Sequence, residues 1–162
     1  MLILDNIRST YNVGSIMRSA ECFGVCKILF AGYTPYPKKD ADPRLPHEAN
    51  KIAKQIQKTA LGANIPFDVF ESTQKAVDFA KDHKFSIAAL EQSKNSINLA
   101  TYKCPSKLAL ILGNEVDGIS EDTQKTAEKI LEIQMLGKKE SLNVAVSAAI
   151  ALYNLRYLNN AS

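Results

Sequence analysis

The sequence contains no tryptophan, and it has only two histidines and three cysteines among its 162 residues. The cysteines Cys22, Cys26 and Cys104 are odd in number and lack the paired spacing of structural zinc sites. We therefore expect reduced thiols and no bound metal. No apolar run approaches the roughly 20 residues of a membrane-spanning helix. Met1 to Asp5 shows neither a basic leader nor a cleavage site, so we expect a cytoplasmic protein.

Charge of either sign is also modest. The net charge of +3 is compatible with an RNA partner but does not argue for one. A hydrophobic content of 46% and a charged content of 23% are typical of a globular protein. The length fits one ordinary domain, so we expect residues 1–162 to form a single domain with no added RNA-binding domain.

Several ligand-binding motifs are missing. No glycine-rich turn of the dinucleotide type follows the first apolar run, which disfavours a standard NAD fold. The phosphate-binding loop of ATP and GTP hydrolases is absent. There is no nucleophile elbow and no histidine placed for a catalytic triad, which excludes the common serine and cysteine hydrolases.

Apolar runs alternate with segments of helical periodicity along the whole chain. This order predicts an α/β fold, with a mostly parallel sheet and helices on both faces. The predicted strands are Leu2 to Leu4, Lys27 to Ala31, Phe67 to Phe70, Phe85 to Leu90, Leu108 to Leu112 and Ile130 to Ile133. The predicted helices are Asn12 to Phe23, His47 to Lys58, Ser72 to His83, Ser120 to Ala127 and Ser141 to Tyr157. One long segment, Gly32 to Pro46, contains four prolines and is expected to be an irregular, functional loop.

The last predicted helix is apolar on two opposite faces. One face holds Leu142, Val146, Ala149, Ile150, Tyr153 and Tyr157, and the other holds Val144, Ala148, Ala151, Leu155 and Leu158. A helix that is apolar all round must be covered on both sides. In a domain of this size one face can cover the sheet, so we expect the other to cover a second subunit of a homodimer.

Three polar segments are placed where an α/β fold holds ligands. Residues 113–118 and 137–143 each follow a predicted strand, and residues 6–14 follow the first strand and lead into a helix. The crevice beyond the carboxyl ends of strands is the usual ligand site in such folds. A crevice rich in glycine and asparagine suits a ligand held by backbone groups, such as an adenosine moiety.

The same three segments resemble the motifs of the SPOUT superfamily of RNA methyltransferases, in its SpoU/TrmH branch. The matching stretches are Asn12 to Ala20 (NVGSIMRSA), Leu112 to Glu115 (LGNE) with Gly118 to Ser120, and Ile133 to Gly137 (IQMLG) with Ser141 to Val144 (SLNV). All three motifs occur in order, and the resemblance covers essentially the whole chain.

The resemblance implies a SPOUT (alpha-beta knot) fold with a deep C-terminal trefoil knot and an obligate homodimer formed by the C-terminal and N-terminal helices. It also implies S-adenosylmethionine as the methyl donor and a ribose 2′-hydroxyl of tRNA or rRNA as the acceptor, with tRNA mildly favoured. The alternative is a non-catalytic knotted RNA-binding protein that retains the fold. Loss of Arg18 or of the Ser141 and Asn143 pair would favour this alternative, and all three residues are present.

The resemblance also implies roles for individual residues. Arg18 is cast as the activator of the hydroxyl, although a guanidinium pKa above 12 makes a phosphate or oxyanion clamp a better role than a base. The alternative interpretation of Arg18 is that it is a solvated arginine on an amphipathic helix. Asn12 orients the arginine or the substrate, and Asn143 lies near the methionine end of the cofactor. Each of these amides can equally cap a helix.

Ser141 is expected to cap the last helix, to contact the active site, or both. Glu115 is expected to hydrogen-bond the loop or the substrate and to take part in catalysis. The full expected cofactor set is Leu90, Leu112, Gly113, Asn114, Glu115, Ile133, Met135, Leu136, Ser141, Leu142 and Asn143.

Basic residues mark a possible RNA path. Arg8 is placed to contact phosphate from the N-terminal loop, because its planar fork suits phosphate oxygens. A lysine stripe on a helix is usually a solvated face. Because these lysines lie beside the basic residues of the proline-rich loop, we keep contact with the RNA backbone as the alternative to a solvated face. The residues concerned are Lys38, Lys39, Arg44, Lys51, Lys54 and Lys58.

Overall fold

The computed structural model describes residues 1–158, which contain a seven-stranded sheet whose strand pairings are all parallel. The sheet order is β3-β2-β1-β6-β4-β7-β5. The predicted parallel sheet is confirmed. The strands are β1 (Leu2–Asp5), β2 (Ile28–Ala31), β3 (Phe67–Phe70), β4 (Ser86–Leu90), β5 (Ile97–Asn98), β6 (Leu108–Leu112) and β7 (Lys129–Glu132).

The described residues contain five α-helices, of which four connect strands and the fifth follows β7. Serine side chains accept hydrogen bonds at the N-termini of three of them, which satisfies free backbone N–H groups. A 3₁₀ turn, Leu99–Thr101, precedes β6, and a π-helical turn, Asn154–Leu158, continues the last helix. The helices are α1 (Thr10–Cys22), α2 (Pro46–Ala60), α3 (Thr73–Asp82), α4 (Glu121–Thr126) and α5 (Val144–Tyr153).

Helices cover both faces of the sheet, as the sequence predicts. Residues of α1, α2 and α5 pack in one hydrophobic cluster with Leu4, Phe30 and Leu112. Residues of α3 pack in the other cluster with the alternate strand residues, such as Ile3 and Ile111. Strands buried on both faces consist of nearly continuous apolar residues, which is why β1, β2 and β6 are recognisable from sequence.

Three details of the predicted elements are wrong. Strand β5 was not predicted because it has only two residues, Ile97–Asn98, and no apolar run. Pro46 belongs to α2, where it occupies the first turn, a position at which its missing N–H costs nothing. The last helix begins at Val144 and its N-cap is Asn143, so Ser141 does not cap it.

The two faces of α5 differ in their surroundings. Ala148, Ala151 and Leu155 are buried in the core, whereas Val146 and Ile150 remain 48% and 40% exposed. Tyr153 and Tyr157 continue the exposed face at 50% and 54%. Leu158, expected on the inner face, is 57% exposed, because the π-helical turn changes the angle between successive side chains.

The topology places an opening at one edge of the sheet. From β1, the strands β2 and β3 follow on one side of the sheet. The later strands lie on the other side of β1, and β6 is the one that pairs with it. β1 and β6 therefore flank the topological switch point, the place in the sheet where the strand order reverses direction. Leu4 pairs with Leu112 there, and the two following loops diverge.

Within residues 1–158, no helix is both long enough and apolar enough to cross a bilayer.

Candidate functional site

A cavity of about 230 Å³ lies at the carboxyl ends of β4, β6 and β7. We name it the glutamate cavity after Glu91, Glu115, Glu132 and Glu140, which all line it. Its other lining residues are Leu90, Gln92, Leu112, Gly113, Asn114, Val116, Gly118, Ile133, Met135, Ser141, Leu142, Val144 and Ser147.

The predicted cofactor residues converge on this cavity from four segments of the chain. Leu136 and Asn143 are the two that do not line it. The Leu136 side chain is 91% exposed, and the Asn143 side chain caps α5. Those that line it are Leu90, Leu112, Gly113, Asn114, Glu115, Ile133, Met135, Ser141 and Leu142.

The lining of the glutamate cavity has a one-sided charge. Of the described residues that line it, four are glutamates and none is lysine or arginine. Carboxylates around a partly enclosed space favour a ligand that carries positive charge. The apolar side chains of β4, β6 and the segment after β7 provide a complementary wall for a flat apolar group.

Two glycines shape the rim of this cavity. A Cβ on Gly113 would lie 2.5 Å from Ile119 Cγ1 and 2.6 Å from the carbonyl carbon of Gly118. Gly118 adopts φ +67°, and a Cβ there would meet Glu91 Oε2 at 2.4 Å. The same Glu91 oxygen accepts a hydrogen bond from the Ile119 N–H at 2.8 Å. The 113–118 loop therefore folds back tightly on itself, and its glycines leave space where side chains would not fit.

Glu115 joins this loop to the N-terminal segment. Its Oε2 accepts the Arg8 N–H at 2.8 Å, and its Oε1 accepts the Ser9 N–H at 3.0 Å. Asn12 Nδ2 donates to the same Oε1 at 2.8 Å. Glu115 therefore ties the 113–118 loop to the N-terminal segment, and its role toward the substrate stays a prediction. Because its oxygens already accept three donors, Glu115 is suited to positioning rather than to accepting a proton.

The third polar segment joins the same network through Asn143. Its Nδ2 donates to Asn12 Oδ1 at 3.1 Å, and its Oδ1 accepts the N–H groups of Ala145 and Val146. Asn143 thus caps α5 and holds Asn12 at once. The helix that contains Asn12 is capped by Ser9 instead. The three segments that the sequence marked as polar are therefore linked by direct hydrogen bonds.

The network keeps the Glu115 carboxyl ionised. Partial burial disfavours the charged form, but the hydrogen bonds from Arg8, Asn12 and Ser9 outweigh this effect and hold the pKa of Glu115 below its ordinary value. A carboxylate with a lowered pKa binds Asn12 through the amide nitrogen, which leaves the amide oxygen for Asn143. The charge of Glu115 therefore sets the orientation of Asn12.

Arg18 lies outside the network of its own chain. It is exposed on α1 and does not line the glutamate cavity. Its Cα lies about 9 Å along the helix axis from that of Asn12, at a rise of about 1.5 Å per residue. Within residues 1–158 its side chain forms no hydrogen bond or ion pair. A charged side chain that is free in one chain is available to a second molecule.

The basic residues divide into two groups. Arg8, Lys38 and Lys39 are exposed, as are the α2 lysines Lys51, Lys54 and Lys58 on the face opposite the buried Ile56. Lys58 Nζ lies 5.9 Å from the Tyr11 ring centroid, so this lysine stripe ends beside α1.

Arg44 differs from these lysines because its guanidinium is engaged inside the proline-rich loop. It pairs with Asp42, lies 3.6 Å from the Tyr36 ring centroid and donates to the carbonyl oxygens of Tyr36 and Pro37. Hydrogen bonds from the Arg44 guanidinium hold the pKa of the Asp42 carboxyl well below its ordinary range. Arg44 therefore organises the loop and has little donor capacity left for phosphate.

Sequence reasoning missed part of the cavity lining. Glu91 and Gln92 follow β4 directly, so the rule that applies to residues after β6 could have identified them. Glu132 ends β7 and could have been identified by the same rule, whereas Glu140 and Ser147 have no comparable signal, because their segments are placed only by tertiary packing. Within the described residues, no group of three or more His, Cys, Asp or Glu side chains is arranged to hold a metal ion.

Comparison with known proteins identifies the family. The model of the SpoU rRNA methylase family matches residues 1–153. The chain belongs to the SpoU methylase family. A Staphylococcus aureus protein assigned to the TrmH family of tRNA/rRNA methyltransferases is 26% identical over 157 residues. That match covers 96% of this chain and 57% of the relative, so this SpoU methylase chain spans little more than half the length of that protein.

Solved structures share the fold of this SpoU methylase family member. A structure described as an RNA 2′-O ribose methyltransferase aligns with a TM-score of 0.76 at 23% identity, covering 95% of this chain and 54% of the other. The AviRb methyltransferase of Streptomyces viridochromogenes, in complex with AdoMet, aligns with a TM-score of 0.75 at 22% identity, covering 95% and 58%. A structure described as concerning 2-OH methylation of C/U34 on tRNA aligns with a TM-score of 0.75 at 18% identity, covering 95% and 91%.

Proposed function

We propose that the protein is an S-adenosylmethionine-dependent RNA methyltransferase that acts on a ribose 2′-hydroxyl. The observation that carries this proposal is the Glu115–Asn12–Asn143 network, which joins the three family motifs beside the glutamate cavity. Family membership supports methyl transfer to RNA. The description of one structural neighbour as an RNA 2′-O ribose methyltransferase supports the ribose as acceptor.

The glutamate cavity fits the cofactor by charge and by shape. When bound, S-adenosylmethionine supplies a methyl group on a cationic sulfur atom. Apolar side chains such as Leu112, Ile133 and Leu142 would cover its adenine ring. The cavity glutamates complement its positive charge, and the 113–118 loop offers backbone groups at the rim.

Arg18 is the residue that we assign to the reacting hydroxyl. Its guanidinium binds the phosphate next to the target ribose and stabilises the negative charge that develops as the hydroxyl loses its proton. Asn12, held between Glu115 and Asn143, orients the ribose. Ser141 lines the cavity and contacts the reacting groups from the other side. Correct positioning alone can lower the barrier by several kcal/mol.

A homodimer completes the site in this proposal. The exposed face of α5 and the following π-helical turn, with Val146, Ile150, Tyr153 and Tyr157, is the apolar surface that a second subunit would cover. α5 packs on α1, so an interface at α5 lies beside the helix that carries Arg18. Because Arg18 does not line its own cavity, we propose that it reaches the cavity of the other subunit.

We further propose that the chain between β7 and α5 forms a trefoil knot with the 113–118 loop. Support comes from Ser141 and Gly113, which belong to the two segments and line one cavity. For the substrate, tRNA is the first choice over rRNA. This chain covers 91% of the neighbour whose description concerns tRNA. Arg8 and the lysines Lys38, Lys39, Lys51, Lys54 and Lys58 would contact the RNA backbone.

Calorimetric titration with S-adenosylmethionine, combined with methyl transfer to RNA, tests this function. Arg18→Ala should bind the cofactor like the wild type but lose methyl transfer by at least about a hundredfold. Ser147→Phe places a ring in the cavity and should lose cofactor binding while keeping its thermal unfolding temperature. Full methyl transfer by Arg18→Ala, or no cofactor binding by the folded wild type, would contradict the proposal.

A further inference from the structure

A second opening adjoins the glutamate cavity at the same edge of the sheet. This cleft has a volume of about 400 Å³ and lies at the ends of β1, β2 and β3. Asn114 and Gly118 line both spaces, so the 113–118 loop forms their common wall. We name it the tyrosine cleft; its lining residues are Asp5, Asn6, Gly32, Tyr33, Glu71, Ser72, Thr73, Gln74, Asn114, Asp117, Gly118, Ser120 and Thr123.

Tyr33 is exposed and yet held at both ends. Its side chain is 61% exposed, which is unusual for a large ring on a loop next to a buried strand. The Tyr33 N–H donates to Asn6 Oδ1 at 3.2 Å, and Asn114 Nδ2 donates to the Tyr33 hydroxyl at 2.7 Å. Gly32 permits the first contact, because a Cβ there would lie 2.0 Å from Asn6 Oδ1. The ring therefore presents a fixed aromatic surface.

The cleft offers hydrogen-bond acceptors, one of which, the Glu71 carboxylate, is paired with Lys75 from outside the lining. Glu71 and Asp117 contribute carboxylates, and Ser72, Ser120 and Thr123 contribute hydroxyl groups. No lysine or arginine is among its described lining residues. A phosphate group is disfavoured in such a space, whereas a flat ligand that carries N–H donors is favoured.

We propose that the tyrosine cleft binds an unpaired base of the substrate RNA, stacked on Tyr33 and recognised through an exocyclic amino group. This inference rests on the proposed function, since it takes RNA as the substrate. Stacking on an aromatic side chain is the common way in which proteins hold an unpaired base. Asp and Glu oxygens accept hydrogen bonds from the exocyclic amino groups of bases. Uracil has no such amino group.

The position of Asn114 connects this base to the cofactor cavity. Its Nδ2 donates to the Tyr33 hydroxyl and to the Asn6 carbonyl oxygen, and its Oδ1 accepts the N–H groups of Val116 and Asp117. A base on Tyr33 and a ligand in the glutamate cavity therefore contact opposite sides of one hydrogen-bonded loop. The nucleotide in the tyrosine cleft is a neighbour of the methylated one, and it sets the sequence preference.

Fluorescence anisotropy with labelled oligoadenylate, oligocytidylate and oligouridylate of equal length, at one salt concentration, tests the inference. The wild-type protein should bind the first two more tightly than oligouridylate. Tyr33→Ala should weaken oligoadenylate binding about tenfold and remove the preference, because stacking is lost. Tyr33→Phe should keep the preference, because it keeps the ring. Lys54→Ala is the comparison, and it should weaken all three oligonucleotides by a similar factor.

Equal binding of the three oligonucleotides by the wild type, or an unchanged preference in Tyr33→Ala, would overturn the inference. The inference would also be overturned if the wild-type protein bound none of the three oligonucleotides. Failure of the proposed function is recognised separately, because it is measured as methyl transfer. A protein that shows the base preference and no transfer activity contradicts only the enzymatic proposal. A protein that transfers methyl groups and shows no base preference contradicts only this inference.

Discussion

Asn12 connects two distant parts of the chain by using both atoms of its side-chain amide. Its nitrogen donates to Glu115, which follows β6, and its oxygen accepts from Asn143, which precedes α5. The first contact spans 103 residues and the second spans 131. An aspartate at position 12 would repel Glu115, and an alanine would contact neither partner, so the amide is specified by its surroundings.

The Asn12–Glu115 contact should be measurable as a coupling energy. In a double-mutant cycle with Asn12→Ala and Glu115→Ala, we expect a coupling of about 1 kcal/mol in the free energy of urea unfolding. The exposed pair Asp122 and Lys125 on α4 is the control, and its coupling should be close to zero. A coupling at Asn12 no larger than that of the control would mean that the contact does not stabilise the site.

The pH dependence of stability should reveal the lowered pKa of Glu115. A carboxyl with a pKa lower in the folded than in the unfolded state stabilises the fold above its unfolded pKa, which is about 4.3. This stabilisation is lost as the pH falls through the folded pKa. The difference in unfolding free energy between wild type and Glu115→Gln should therefore be constant above about pH 5.5 and shrink below about pH 4.3. A difference that grows on acidification would contradict the assigned direction.

Gly14 should not tolerate a side chain. A Cβ there would lie 2.2 Å from the Ile56 carbonyl oxygen and 2.2 Å from Thr59 Oγ1, where α1 crosses α2. Thr59 also donates to the Tyr11 carbonyl oxygen at 2.8 Å, which ties the two helices together. Gly14→Ala should lower the free energy of unfolding by about 1–3 kcal/mol. Gly137→Ala is the matched control, because no atom lies within 4 Å of its added Cβ; equal stability of the two variants would refute the packing argument.

Mixed dimers test whether Arg18 acts across the subunit interface. Arg18→Ala retains the cavity and Ser147→Phe retains the arginine, so each variant alone should be inactive. After co-expression, half of the dimers would be mixed and each would hold one complete site, which gives about a quarter of the wild-type methyl transfer. Activity that stays absent in the purified mixed dimer would show that Arg18 serves its own chain.

The sequence was sufficient for six of the seven strands and for the polar ends of β1, β6 and β7, because buried parallel strands and their carboxyl ends leave a local signature. It did not predict Glu140 or Ser147 as lining residues, since their positions depend on how distant segments pack. For Arg44, the sequence predicts a contact with RNA that the structure does not favour. A basic residue in a proline-rich loop resembles a phosphate ligand until its contacts with Asp42 and Tyr36 are seen.

Ribose methylation can be tested by transfer of labelled methyl from S-adenosylmethionine to separate tRNA and rRNA pools, taken from cells that lack this protein. Alkali cleaves RNA except beside a 2′-O-methyl ribose. We expect label in alkali-resistant dinucleotides from the tRNA pool, and at least about a hundredfold less with Arg18→Ala. Label released entirely as mononucleotides would mean base methylation and would contradict the ribose assignment.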